Sequence, residues 1–110
     1  MPPNRGLGLL DTALPQEDIE AVNEILDAYR KQDIAFHAVR SRMAGRRRFV
    51  SFHVIVPGNW TVLKGHAMCE EIERAICEVL PESTVFTHLE PEEDPVTFQD
   101  IELDRAPLTS

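Results

Sequence analysis

Hydrophobic positions change their period along the chain, and each change marks a new predicted element. Apolar residues recur three or four positions apart over residues 15–31, which predicts an amphipathic helix. From Ile34 the period becomes two, and the Ala44-Gly45 dipeptide separates two alternating runs, the second over residues 47–56. Two alternating runs joined by a short glycine turn predict an antiparallel hairpin.

A second helix and a third strand follow the hairpin. Thr61 is a suitable N-cap for a helix over residues 62–80, and Pro81 ends that helix. Its apolar stripe is predicted to comprise Val62, Cys69, Ile72, Ile76, Val79 and Leu80. Alternation over residues 84–90 predicts the last strand.

The resulting order, α-β-β-α-β, defines the predicted fold class. We expect an α+β domain, ferredoxin-like or metallochaperone-like, in which two helices cover one face of a three-stranded mixed sheet. A right-handed crossover makes the last strand parallel to the second, and the other face of the sheet stays uncovered within one chain. We assign residues 1–14 to an N-terminal linker, 15–91 to the folded domain and 92–110 to an acidic C-terminal tail, with a short extended piece at 96–103.

The chain of 110 residues is long enough for one domain, and its charge is distributed unevenly. Residues 1–80 carry 10 basic and 11 acidic groups, whereas residues 81–110 carry 1 basic and 8 acidic groups. The acidic C-terminal third repels nucleic acid and anionic lipid, and it attracts cations. No apolar run approaches the ~20 residues that cross a bilayer, and no signal peptide begins the chain. The sequence therefore predicts a cytoplasmic location, no membrane-spanning segment and no nucleic-acid partner.

An arginine-rich segment surrounds the predicted hairpin turn. It comprises Arg40, Arg42, Arg46, Arg47 and Arg48. These side chains are candidates for binding phosphate or an acidic partner, and equally for flanking a turn beside acidic helices. No aromatic residues interleave with them as a stacking platform would require, which disfavours nucleic-acid binding. Pairing with carboxylates, either in the acidic tail of the same chain or in a neighbouring domain, is the better interpretation.

Three of the four histidines fall one to a predicted strand. His37, His53 and His88 belong to the first, second and third strands, and His88 shares a strand face with Glu90 because residues two apart point the same way. If His53 lies on that face, imidazoles and a carboxylate converge, and these are the groups that bind Zn²⁺ or a similar divalent ion. His66 lies near the start of the second helix, and it would reach this region only from a strand edge or from a partner chain.

Each of these histidines also has an ordinary interpretation. A single strand histidine is more often a half-buried hydrogen-bonding residue than a metal ligand, and only the joint occurrence with Glu90 favours a metal site. No nucleophile elbow, phosphate-binding glycine loop or CxxC motif is present, so we predict that the chain is not an enzyme. The residues alone leave two hypotheses, a metal-binding domain and a purely structural one.

The segment from Leu9 to Pro91 resembles the cytoplasmic C-terminal domain of cation diffusion facilitator (zinc/cation efflux) transporters, the zinc-transporter dimerisation domain. The matching stretches are LDTALP at residues 10–15, FHAVRSRMAG at 36–45, FVSFHVIV at 49–56, GH at 65–66 and THLEP at 87–91. Each stretch is short, but their order and spacing together are fairly specific.

The resemblance implies a homodimeric regulatory domain that binds divalent ions near its dimer interface and biases a cation diffusion facilitator membrane domain. Carried over by position, the implied metal ligands are His37, His53, His66, His88 and Glu90. The implied ion is Zn²⁺, with Co²⁺, Ni²⁺, Cu²⁺ and Cd²⁺ as alternatives. Which protomer supplies His66 stays open, and so does the alternative of a structural dimerisation module without functional metal binding.

Overall fold

The computed structural model describes residues 12–93, and within that range the chain forms two helices and three strands. The elements are α1 (Gln16–Arg30), β1 (Ala35–Ala44), β2 (Arg47–Val56), α2 (Val62–Val79) and β3 (Ser83–Pro91). All five predicted elements are confirmed, with ends that differ by a residue or so. The predicted extended piece at 96–103 lies outside the described residues, as do most of the predicted linker and of the acidic tail.

The three strands form one mixed sheet in the order β1-β2-β3. β1 and β2 pair antiparallel, and the crossover through α2 brings β3 parallel to β2. Gly45 turns the hairpin with a φ of 63°, a left-handed conformation that glycine adopts at little cost because it has no Cβ. The predicted α+β class and the mixed topology are therefore confirmed.

Both helices pack on one face of the sheet and bury their apolar stripes there. The centre of the core contains Leu26 of α1, Ile72 and Ile76 of α2, and Phe52 and Val54 of β2, all at most 1% exposed. Burying a side chain of this size contributes about 1.5–3 kcal/mol. We call the opposite face of the sheet, where neither helix packs, the open face.

The predicted stripe of α2 is correct in its middle and wrong at two positions. Cys69, Ile72 and Ile76 are buried, whereas Val62 is 82% exposed and Val79 is 50% exposed. Val62 and Val79 are the first and last residues of α2. Leu80, directly after Val79 and also predicted, is 1% exposed, so Val79 lies beside the buried stripe, whereas Val62 precedes Gly65, the first buried residue of α2.

A β-bulge in β1 changes which side chains face the helices. The register of β1 against β2 shifts between His37 and Arg40, and Ala38 within that shift has a φ of 57°. Because the bulge inserts an extra residue, the alternation reverses beyond it. Unbroken alternation from Ile34 predicts a common face for His37 and Ser41, and this prediction is wrong, because Ser41 faces the helices opposite Val50. Arg40 and Arg42 instead lie on the open face with His37.

Candidate metal centre

The three strand histidines lie side by side on the open face. His37 is opposite His53 in the antiparallel pairing of β1 with β2, and His53 is opposite His88 in the parallel pairing of β2 with β3. Neighbouring strands are about 4.8 Å apart, so the three side chains begin at adjacent positions. We call His37, His53 and His88 the histidine row.

Glu90 places one carboxylate oxygen between two of these imidazoles. Its Oε2 atom lies 3.3 Å from Nδ1 of His53 and 3.2 Å from Nδ1 of His88. The two imidazole rings are close to perpendicular, with centroids 5.1 Å apart. One ligand atom from each of the three residues lies within 4.8 Å of the others. We call these residues the His53–His88–Glu90 cluster.

The cluster is buried on its carboxylate side and open on its imidazole side. The Glu90 side chain is 5% exposed, that of His53 is 25% exposed and that of His88 is 67% exposed. A nearly buried carboxylate needs a compensating charge or hydrogen-bond donors. A divalent ion and a pair of imidazole N–H groups both meet that need, and imidazole nitrogen with carboxylate oxygen is a ligand set that suits Zn²⁺.

His37 lies in the histidine row but outside the cluster. Its Nδ1 atom is buried and has no hydrogen-bond partner among the residues that the structure describes. Buried polar atoms rarely stay without a partner. His37 is therefore a further nitrogen next to His53 that a bound ion or water could satisfy.

His66 is placed by the start of α2 rather than by the sheet. Thr61 caps this helix, since its Oγ1 accepts a hydrogen bond from Lys64 N at 3.0 Å. One turn later, Nε2 of His66 lies 3.3 Å from Oε2 of Glu70, and both side chains are more than half exposed. The structure thus does not bring His66 into the cluster within one chain.

A cavity of about 370 Å³ nevertheless connects His66 with the site. It lies between α2 and β3, and His88 lines it together with His66 and Glu70. Sequence reasoning missed Glu70 as a partner of His66, although a carboxylate four residues after a histidine on a helix was a readable signal. Glu70 can accept a hydrogen bond from one ring nitrogen of His66 and leave the other nitrogen available.

Cys69 lines the same cavity but is poorly suited to hold a metal. Burial raises the pKa of its thiol, and the nearby Glu73 carboxylate adds to that effect, whereas a hydrogen bond involving Thr87 opposes it. Metals bind the thiolate form of cysteine, which a raised pKa disfavours. The chemistry of the site therefore depends on imidazole and carboxylate groups.

The fold and the cluster together define an α+β domain with a candidate metal centre on its open face. The family model described as the cytoplasmic domain of cation efflux proteins matches residues 14–92. The chain belongs to this family, and the matched part is the family's cytoplasmic domain. No helix among residues 12–93 is long and apolar enough to span a bilayer.

Curated relatives agree with this assignment. The chain is 47% identical over 91 residues to an uncharacterized transporter of Synechocystis, covering 83% of this chain and 29% of that protein. It is 34% identical over 83 residues to the cation-efflux pump FieF of Cronobacter sakazakii, covering 76% of this chain and 27% of the pump. The chain thus spans less than a third of the length of either relative.

Solved structures agree with the fold. A structure of the putative zinc transporter CzrB superposes with a TM-score of 0.66 at 34% identity, covering 73% of this chain and 99% of that one. A metal-bound C-terminal domain of the CzcD transporter from Thermotoga maritima superposes with a TM-score of 0.62 at 19% identity, covering 74% and 99%. The second likeness bears on the fold alone.

Proposed function

We propose that this chain is a divalent-metal-binding regulatory domain of cation diffusion facilitator type. It acts as a homodimer, senses cytosolic Zn²⁺ or a similar ion, and couples binding to closure of the dimer and to cation efflux. The observation that carries the proposal is the placement of one Glu90 oxygen within 3.3 Å of both His53 and His88. The likeness to a zinc form of the putative zinc transporter CzrB, at 34% identity, supports zinc as the ion.

In this proposal the His53–His88–Glu90 cluster is the centre of the metal site. His37 is the next ligand, because it adjoins His53 in the histidine row. His66 is a ligand from the cavity beside β3, supplied either by the same chain or by the partner. Co²⁺, Ni²⁺, Cu²⁺ and Cd²⁺ suit the same groups, and availability decides among them.

Regulation follows from the placement of ligands on separate elements. A bound ion neutralises the buried carboxylate and ties β2 to β3. If His66 comes from the partner, the ion also joins two protomers. The ion then favours the closed dimer because it binds that arrangement better, which is a shift of population rather than a new fold. Metal ligands must be deprotonated, so binding releases protons and the affinity falls as the pH is lowered.

Calorimetry with Zn²⁺ tests the ligand assignment. We expect the parent chain to bind Zn²⁺ and His88→Ala to lose at least about tenfold in affinity. Removing a residue that only hydrogen-bonds to a metal ligand already costs about tenfold or more, and removing the ligand itself should cost no less. Phe86→Ala is the matched control, since Phe86 lies two residues earlier on the same face of β3 and is 56% exposed. Equal binding heats in His88→Ala and the parent chain would show that His88 is not a metal ligand.

A structural dimerisation module without functional metal binding is the competing hypothesis. In that case the two imidazoles only stabilise the Glu90 carboxylate. A ligand of the native state must raise its stability, by about 2.7 kcal/mol at 100 times Kd. An unfolding temperature that does not change between Zn²⁺ and EDTA, together with a dimer dissociation constant that does not change, would favour the structural module.

A further inference from the structure

The half of the open face beyond the histidine row carries a basic and aromatic surface. We call Arg40, Arg42, Phe49, Ser51 and Phe86 the arginine patch. They occupy the next two rows of the sheet, with Arg40 opposite Ser51 and Arg42 opposite Phe49. The Arg42 guanidinium lies over the Phe49 ring, 4.1 Å from its centroid. These residues line a cavity of about 260 Å³, and Phe86 is 56% exposed.

The other end of the open face is buried although no helix packs on it. Ile55 is 3% exposed and Glu90 is 4% exposed, and these residues are opposite each other in the pairing of β2 with β3. Ile55 is not a member of the core cluster beneath the helices. An apolar side chain buried on this face requires a cover that neither α1 nor α2 supplies.

We propose that residues 94–110 of the same chain dock on the open face, with their carboxylates against the arginine patch. The segment contains four acidic residues and one arginine. Its acidic residues Asp100, Glu102 and Asp104 are spaced two apart, so they point to one side when the backbone is extended. Val96 and Phe98 precede them at the same spacing.

The order of these residues matches the order of the surface beneath them. β3 ends at Pro91, opposite Val56, and Glu92 N donates a hydrogen bond to Val56 O at 2.8 Å. A chain that folds back from this point passes the Ile55 end of the open face first and the arginine patch later. The apolar residues of the segment therefore meet the Ile55 end, and its acidic residues meet Arg40 and Arg42.

The length of the segment is sufficient for this path. Phe49 lies seven positions before Val56 along β2, a distance of about 23 Å at 3.3 Å per residue. Asp100, the first of the three carboxylates, is nine positions after Pro91, and nine extended residues reach about 30 Å. The segment can therefore turn after β3, cross the open face and reach the far row.

Two other occupants fit the patch less well. Residues 1–11 contain one arginine and one aspartate, so they bring no net negative charge to it. A second copy that met this face across a two-fold axis centred on the patch would place arginine against arginine. The acidic segment is tethered at the other end of the same face, and a short tether raises its effective concentration to about millimolar. Exposed ion pairs are individually weak, so docking should weaken as salt is added.

Paramagnetic broadening tests the contact in the full chain, without metal, so that the result does not depend on the proposed metal function. A nitroxide is attached at Gln99→Cys, a position that points away from the sheet in this arrangement, in a Cys77→Ser background. We expect the amide signals of Ser51 and Phe86 to be lost and those of α1 to be unchanged. Added salt should restore the lost signals.

Charge variants decide whether the patch carries the contact. Arg40→Gln/Arg42→Gln should restore the Ser51 and Phe86 signals, whereas Arg74→Gln, an exposed change on α2, should not. Replacing the three carboxylates with Asp100→Asn, Glu102→Asn and Asp104→Asn should restore them too.

Three results would overturn the proposal. The first is the absence of broadening in the parent chain, and the second is equal broadening in the parent chain and in Arg40→Gln/Arg42→Gln. The third is broadening that appears only when a labelled chain is mixed with an unlabelled, isotope-enriched one, which would assign the surface to a second copy.

Discussion

His53 and His88 are directly opposite each other on neighbouring parallel strands, with ring centroids 5.1 Å apart. The parallel register of β2 and β3 produces this placement, and the strand period then carries Glu90 to the same face two residues later. A one-residue slip of β3 would move both His88 and Glu90 to the helix side. The candidate metal centre therefore depends on the same pairing that closes the core.

Replacing Glu90 with glutamine tests whether its charge matters to metal binding. Glu90→Gln keeps the size of the side chain and removes the negative charge between the two imidazoles. We expect Zn²⁺ affinity, measured by calorimetry, to fall at least about tenfold. Glu92→Gln is the matched control because Glu92 is exposed and lies outside the cluster. Unchanged affinity in Glu90→Gln would show that the ion binds elsewhere.

Asp18 and Arg48 form an ion pair that connects α1 to the sheet. Arg48 Nε donates to Asp18 Oδ2 at 2.7 Å, and the two side chains are only 20% and 14% exposed. Arg48 Nη1 also donates to Pro81 O at 2.9 Å. We expect Asp18→Asn to lower the free energy of unfolding in urea by about 1.5 kcal/mol, because a half-buried guanidinium loses its counter-charge.

Asp27→Asn is the control for that measurement. Asp27 pairs with Arg30 at 2.6 Å, but the side chains are 66% and 41% exposed. Exposed pairs of this kind contribute about 0.5 kcal/mol or less. If the two asparagine variants lost the same stability, burial would not be what makes the Asp18 pair important.

Local patterns were enough to predict the elements and part of the site. Period changes located all five elements, and the threonine at position 61 does cap α2. The shared face of His88 and Glu90 follows from their spacing alone. By contrast, the matching of His53 with His88 is a matter of register between distant strands, which depends on packing across the whole sheet.

The bulge in β1 could not be predicted for a different physical reason. The residue with positive φ there is Ala38, and alanine gives no signal for a conformation that usually marks glycine or asparagine. Its effect was to place Arg40 and Arg42 on the open face. Similarly, the pairing of Arg48 with Asp18 joins residues 30 apart, which no short window of sequence shows.

Gly65 sets how closely α2 approaches β3. A Cβ atom added at Gly65 would overlap Cδ2 of Leu89, the residue between His88 and Glu90. Overpacking costs about 1–3 kcal/mol, whereas replacing glycine by alanine in a helix gains about 1 kcal/mol. We expect Gly65→Ala to lower the free energy of unfolding by about 1 kcal/mol, measured in urea.

A double-mutant cycle separates these two effects. In a Leu89→Ala background the overlapping atoms are absent, so Gly65→Ala should raise stability by about 1 kcal/mol through helix propensity alone. A change of the same sign and size in both backgrounds would show that Leu89 does not limit the approach of α2.

Tyr29 connects the two helices, since its hydroxyl donates to Oε2 of Glu71 at 2.8 Å. Burial, followed by the hydrogen bond and the charge of Glu71, raises the pKa of Tyr29 to about 12. Because the pKa of Tyr29 is higher in the folded than in the unfolded chain, the protonated phenol stabilises the fold. Its contribution to the free energy of unfolding is complete below about pH 10 and is lost as the pH rises towards 12. Tyr29→Phe should remove that part of the alkaline loss of stability, as followed by urea unfolding.

Phenolate absorbance reports this titration directly, because the chain contains a single tyrosine. At about pH 11 the folded protein should show little phenolate, whereas the urea-unfolded chain should show mostly phenolate, as a phenol with a pKa near 10 requires. Glu71→Gln should lower the pKa of Tyr29 in the folded protein without returning it to 10, because burial is the largest cause of the shift. Titration of the parent chain and of Glu71→Gln at the same pH would show that the Glu71 carboxylate does not act on the phenol.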